Sequence, residues 1–229
     1  MTERRRTGAS APRPPAVERS ESYDPDCTRC PRLAEFLAEA HQRYPGYFAR
    51  PVPSFGAATP RILIVGLAPG MHGANRTGRP FTGDFAGILL YETLYELGLA
   101  TGSQSTSADD DLRLRNVRIA NAVKCVPPEN KPLPEEIRRC NAYLQVELKE
   151  LTKVRVILAL GRVAHEAVLI AEGLKRTRFP FGHGREHSLE AARHLIDSYH
   201  CSRYNTQTGR LTAPMFRKVV ARACELAEL

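Results

Sequence analysis

Four short runs constrain this chain more than anything else in it: RILIVG (Arg61 to Gly66), VRIANAV (Val117 to Val123), VRVILALG (Val154 to Gly161) and HLIDSYH (His194 to His200). Each is short, apolar and rich in branched side chains, the pattern of strands buried on both faces. Helical spacing lies between them. Asp84 to Leu97 repeats apolar residues at Ile88, Tyr91, Leu94 and Leu97; Pro134 to Leu151 opens on a helix-initiating proline and two acids; Pro214 to Leu229 closes the chain. Ahead of the first strand, Pro31 to Tyr44 carries Leu33, Phe36, Leu37 and Ala40 at helical spacing and is stopped by Pro45 and Gly46. The alternation predicts an α/β three-layer sandwich, a central four-stranded, mostly parallel sheet with helices on both faces. Ligands of such sheets bind beyond the carboxyl ends of the strands, where GLAPG, Asn121 and His200 fall.

With 229 residues, 42% of them hydrophobic, the chain can bury one sizeable core. Residues 27–229 are expected to form that domain. Residues 1–26 are rich in Arg, Pro, Ser and Ala and offer too little apolar surface to offset the entropy of ordering, so they read as a flexible arm. The net charge of +8 points to a polyanionic partner, nucleic acid before others. No apolar stretch follows Arg4 to Arg6 as in a signal peptide, and no run is long enough to span a bilayer. A soluble, cytoplasmic, monomeric protein without membrane contact is the expectation.

Six cysteines in a reducing compartment point to metal before disulfides. Cys27 and Cys30 form a C-x-x-C pair; Cys125 follows the second strand and Cys140 lies on the next helix. Four thiolates suit a structural zinc or an iron-sulfur cluster, and ligand type alone does not separate them. Cys224 falls on an apolar stripe and Cys201 beside His200, both read as packing residues.

The loop GLAPGMHGANRTGRPFTGDFAG (Gly66 to Gly87) packs six glycines between a strand and a helix, which lets backbone approach a ligand closely. It lacks the Gly-Lys-Ser/Thr of a P-loop and the G-x-G-x-x-G of a dinucleotide site. Asp84 stands at the start of the following helix, where a cap is expected; capping and catalysis are compatible. Phe81 on this loop can serve as a stacking plate for a base. Arg76 and Arg79 are candidates for phosphate contact or for plain solvation.

That loop, the stretch NAVKCVPPENKP, the segment SYHCSRYNTQTGRLT and the spaced cysteines together resemble the fifth family of the uracil-DNA glycosylase superfamily, the type b enzymes, over nearly all of residues 27–229. The resemblance implies a monofunctional DNA-repair hydrolase that flips uracil out of DNA and cleaves its glycosidic bond. It also implies a four-iron, four-sulfur cluster on Cys27, Cys30, Cys125 and Cys140. Asn121 then reads the base edge, since its amide offers the acceptor and donor that match N3–H and O4 of uracil. Phe81 stacks on the base, the backbone of Gly66, Leu67, Ala68 and Gly70 lines the pocket, and His200 donates to the base oxygen. Asp84 positions water or steadies the sugar cation. Arg203, Tyr204 and Asn205 enter the minor groove as a wedge.

Three departures matter. Leu67 and Ala68 stand where other families of the superfamily carry an acidic residue, so Asp84 must substitute or binding energy must carry more of the rate. Gly70 stands where the best-known family has a tyrosine that walls off thymine, which predicts a roomier pocket open to hypoxanthine. Cys201 also replaces the proline that many relatives carry after the histidine. The competing reading is a non-catalytic iron-sulfur module that binds nucleic acid, and a more remote one is an electron carrier.

Overall fold

The computed structural model describes residues 19–229. Most of the predicted arm, residues 1–18, lies outside the described residues. Its last stretch packs instead of dangling: Tyr23 is buried and its hydroxyl donates to the Pro51 carbonyl at 2.7 Å. Ordered structure therefore begins before Cys27, because one aromatic ring brings apolar area that the composition of the whole arm hides.

Strands β1 (Phe55–Gly56), β2 (Ile62–Gly66), β3 (Val117–Asn121), β4 (Val156–Leu160), β5 (Glu186–Ser188) and β6 (His194–Ser198) form one sheet in the order β1-β3-β2-β4-β6-β5. The four expected strands are its parallel centre, and β1 and β5 add antiparallel edges. A two-residue and a three-residue strand are too short to leave a period in the sequence, so the sheet has six strands instead of four.

Helices α1 (Pro31–Arg43), α3 (Phe85–Glu96), α4 (Pro134–Glu150) and α7 (Ala213–Leu226) match the predicted segments within a few residues. Three more were not anticipated: α2 (Ala74–Thr77), α5 (Arg162–Ala171) and α6 (Arg203–Gln207). Strand alternation decides which helix packs where. Ile62, Ile64, Ile119 and Leu158 face α3 and α7, packing on Leu90, Tyr91, Leu94, Phe216 and Val220. Leu63, Val65, Ala120 and Ile157 face α4 and α5, packing on Leu144, Leu148, Ala164 and Val168. Each fully buried aliphatic chain contributes about 1.5–3 kcal/mol. On α3 the expected stripe is corrected: Ile88 is 52% exposed, and Leu90 takes its place inward. The helix is apolar on nearly every side, so its period is weak and tertiary packing sets the buried face.

Candidate active site

Four strand ends open at one edge of the sheet. Gly66 ends β2, Asn121 ends β3, Gly161 follows β4 and His200 lies two residues beyond β6. The chain changes direction in the sheet here, β2 having β3 on one side and β4 on the other. This is the switch point at which α/β sheets bind ligands.

Gly66 is what lets Asn121 and Phe81 meet. A Cβ on it would lie 2.5 Å from Asn121 Oδ1 and 2.7 Å from the Phe81 ring, so only a hydrogen fits between base-reading amide and aromatic plate. Asn121 is buried, and its Oδ1 has no hydrogen-bond partner among the described residues. A buried acceptor left open costs roughly 1–3 kcal/mol until something donates to it. Phe81 is held at φ 53°, a strained setting for an aromatic residue, with its ring stacked on His200 at 5.9 Å between centroids. Burial pulls the His200 pKa down to about 4, so near neutral pH the ring is uncharged. Its carbonyl accepts from Asn205 Nδ2 at 2.8 Å, which ties the residue to α6.

Asp84 caps α3, Oδ1 accepting from the Gly87 amide at 2.9 Å. Its Oδ2 faces the Gly70–Gly73 turn, where a Cβ on Gly70 would stand 3.6 Å away and one on Gly73 2.6 Å. Burial pushes the Asp84 carboxyl above the usual carboxylate range, although the Gly87 and Ala86 amides pull it down. Gly87 is equally obligatory, since a Cβ there would strike the Phe81 carbonyl at 1.9 Å. Gly66, Gly73 and Gly87 thus serve one end, the close approach of Phe81, Asp84 and Asn121.

Leu67 lines a cavity of about 270 Å³ with His200, Gly161, Arg162, Phe181, Tyr199, Asn205 and Arg210. Arg162, Phe181, Tyr199 and Arg210 were missed from sequence; for Arg162 and Tyr199 the signal available was their place just past strand ends, and for Phe181 and Arg210 there was none. Ala68 is turned away from this cavity, against the cysteine cluster. Arg203 and Tyr204 are exposed at the rim on α6, Tyr204 at 71%, and the Arg203 guanidinium lies over the exposed Phe85 ring at 5.7 Å. Arg79 corrects both of its readings. It is buried, donates to Thr82 Oγ1 at 3.0 Å and pairs with Asp110 at 2.6 Å, bracing the glycine-rich loop. Cys201 is wholly buried and its thiol is pushed up, by burial and then by the nearby Asp84 charge, so it packs and does not react.

Cys27, Cys30, Cys125 and Cys140 line one small pocket with Leu33, Val123 and Tyr143, and all four thiols are free. Cys140 Sγ accepts from the Lys124 amide at 3.3 Å. Arg32, just past the C-x-x-C pair, bonds both carboxylate oxygens of Glu136 at 2.8 Å and joins α1 to the helix bearing Cys140. The donor set is purely sulfur, in a pocket lined by Leu33, Val123 and Tyr143 together with Arg29 and Arg139, which fits an iron-sulfur cluster or a zinc ion.

Comparison with known proteins identifies the family. A family model described as the uracil DNA glycosylase superfamily matches residues 53–224. The chain is similar to the type-5 uracil-DNA glycosylase of Thermus thermophilus, at 52% identity over 208 residues, 89% of this chain and 94% of that protein. It is similar to the type-5 enzyme of Pyrobaculum aerophilum at 42% over 86% of this chain and 88% of that one. A type-4 uracil-DNA glycosylase of Archaeoglobus fulgidus matches less, 35% over 61% of this chain and 62% of that one. The span of the family model and the similarity across most of the chain lead to one conclusion: the chain belongs to the uracil DNA glycosylase superfamily.

Proposed function

We propose that the protein is a DNA-repair glycosylase that hydrolyses the bond between C1′ and the base of uracil flipped out of DNA, leaving an abasic site. The observation that carries the reading is the open Asn121 Oδ1 held against Gly66 and the Phe81 ring. That acceptor takes N3–H of uracil while Nδ2 donates to O4; cytosine, with no N3–H and an amino group at C4, mismatches both. Phe81 stacks on the base. As the C1′–N1 bond breaks, its electron pair passes to the base, and neutral His200 donates a hydrogen bond to the O2 that gathers the charge. Asp84 Oδ2 orients the water that attacks C1′ and takes up its proton. Burial raises the basicity of this carboxylate without removing its cap.

Gly70 leaves room beside Asp84 where a side chain would narrow the pocket, which extends the substrate class to hypoxanthine. Arg203, Tyr204 and Asn205 on α6 enter the minor groove and replace the extruded base. The four cysteines hold a four-iron, four-sulfur cluster that, when bound, supplies a cross-link between the segment before α1 and the helix α4 and takes no part at the base. Iron and sulfide of about four each per chain, lost in Cys125→Ser, are the expected analysis.

The test of the activity uses a labelled duplex with one uracil, followed by alkaline scission at abasic sites. Wild type cleaves, and Asp84→Asn and Asn121→Ala each lose on the order of 10²–10⁴-fold. No scission on uracil, with DNA binding intact, overturns the proposal in favour of a binding module. Activity confined to uracil across a panel of lesions removes the hypoxanthine extension alone.

A further inference from the structure

Behind the active site, on the α5 side of the sheet, lies a second polar cluster that glycosidic hydrolysis does not use. His165 on α5, His187 on β5 and Asp197 on β6 bring three potential ligand atoms within 4.8 Å of one another. His165 and Asp197 are buried, and the His187 side chain is only 9% exposed. The phenyl rings of Phe181 and Phe179 close over the two histidines at 5.6 and 5.5 Å.

The hydrogen-bond accounting of this cluster does not close with protein groups alone. His165 Nε2 sits 2.8 Å from the Phe179 carbonyl and must donate to it. Its Nδ1 then faces a second acceptor, Asp197 Oδ1, at 2.7 Å. A neutral imidazole has one N–H and cannot serve both. A proton between His165 and Asp197 would settle that pair but not His187, whose buried Nε2 has no hydrogen-bond partner among the described residues and lies 3.8 Å from Asp197 Oδ2. Burial favours the neutral form of His187, so that nitrogen can present a lone pair.

We propose that His165 Nδ1, His187 Nε2 and Asp197 form a divalent metal site, with zinc as the ion its donor set suits. Two imidazoles and one carboxylate are zinc-type ligands, and three protein ligands leave a fourth tetrahedral position for water. Tetrahedral zinc at about 2.1 Å from each ligand spaces the ligands about 3.4 Å apart, inside the 2.7 to 4.8 Å range present. The remaining ring nitrogen of His165 is oriented by a main-chain carbonyl and Asp197 Oδ2 accepts from the Gly182 amide at 3.2 Å, the outer-shell support such sites carry. A cavity of about 350 Å³ bordered by His165, Phe179 and Arg176 gives access. An ion here pins α5 and the edge strand β5 to β6, the strand that leads into His200.

The full chain, stripped with a chelator that spares its cysteine centre, is titrated with zinc beside His187→Gln and His187→Tyr. Wild type takes up one zinc per chain more than either variant, a difference from which uptake at the cysteines cancels. At a free zinc near a hundred times Kd its melting temperature rises by about 5–11 °C more than that of the variants. The zinc-edge absorption spectrum of wild type shows imidazole nitrogen among the scatterers and needs no variant to fold. Equal uptake and equal melting shifts, or a spectrum with sulfur alone, overturn the proposal and leave the cluster a buried imidazolium-aspartate pair.

Discussion

Arg118 and Asn121 stand three positions apart on β3 and bury their polar groups in opposite ways. Arg118 Nε donates to Glu147 Oε1 at 2.7 Å, Ser54 donates to the other oxygen at 2.8 Å, and Lys124 closes the network at 3.6 Å. Burial alone would push the Glu147 carboxyl up, but Lys124 and Arg118 outweigh it and hold it below the usual range. Asn121 has been given no such neighbours, and its buried oxygen stays open. A saturated network holds α4 against the sheet; an unsaturated amide at the strand end is poised to bind. The fold sustains the second because the first, and the apolar layers on both faces, offset its cost.

The contrast can be broken at either end. Glu147→Ala strands Lys124 as a buried, unpaired charge beside the half-buried Arg118, so it should lower unfolding stability by about 3–5 kcal/mol in denaturant melts. Activity per folded molecule should survive; a melt like wild type's would mean the network is solvated and the contrast is false. Gly66→Ala acts on the open end. Its methyl enters the space of Asn121 Oδ1 and the Phe81 ring, and uracil excision should fall on the order of 10²-fold, with a stability loss of about 1–3 kcal/mol from overpacking. Unchanged kinetics would show that neither residue contacts the base.

His200 sharpens the comparison through pH. Its pKa is about 4 when folded and near 6.5 when unfolded, so below pH 6.5 the unfolded chain binds the extra proton. Stability therefore falls as pH drops from 6.5 toward 4, and His200→Gln should remove about 2 kcal/mol of that loss at pH 5. Parallel pH-stability curves for the two proteins would show His200 solvated. Tyr204→Ala should do least. The ring is exposed, so melting should not move, while uracil excision from duplex should weaken by a few-fold as the wedge shortens; an unaltered rate would take α6 out of the DNA interface.

The parallel centre of the sheet was legible because a strand buried on both faces must be apolar at every position, and β2 and β4 are. The edges β1 and β5 were not, since two or three residues carry no period. Helix α5 lacked any signal at its start, where Gly161 caps nothing with its side chain. Likewise the role of Asp84 as a cap follows from local spacing, whereas its proximity to Gly70 and Gly73 depends on how the loop closes. The resemblance named Asn121, Phe81 and His200 as partners; the meeting of Asn121 and Phe81 across Gly66, with His200 stacked on Phe81, rests on strand order and loop closure, which no linear pattern encodes.

By itself the sequence determined the α/β class, the parallel core, the basic character and the four cysteines, because these follow from residue type and spacing along the chain. Only the tertiary structure decided that Arg79 braces a loop, that Ala68 faces the cysteines, and that His165, His187 and Asp197 converge. Those facts join elements distant in sequence, and such contacts arise from packing across the sheet, where local propensity has no say.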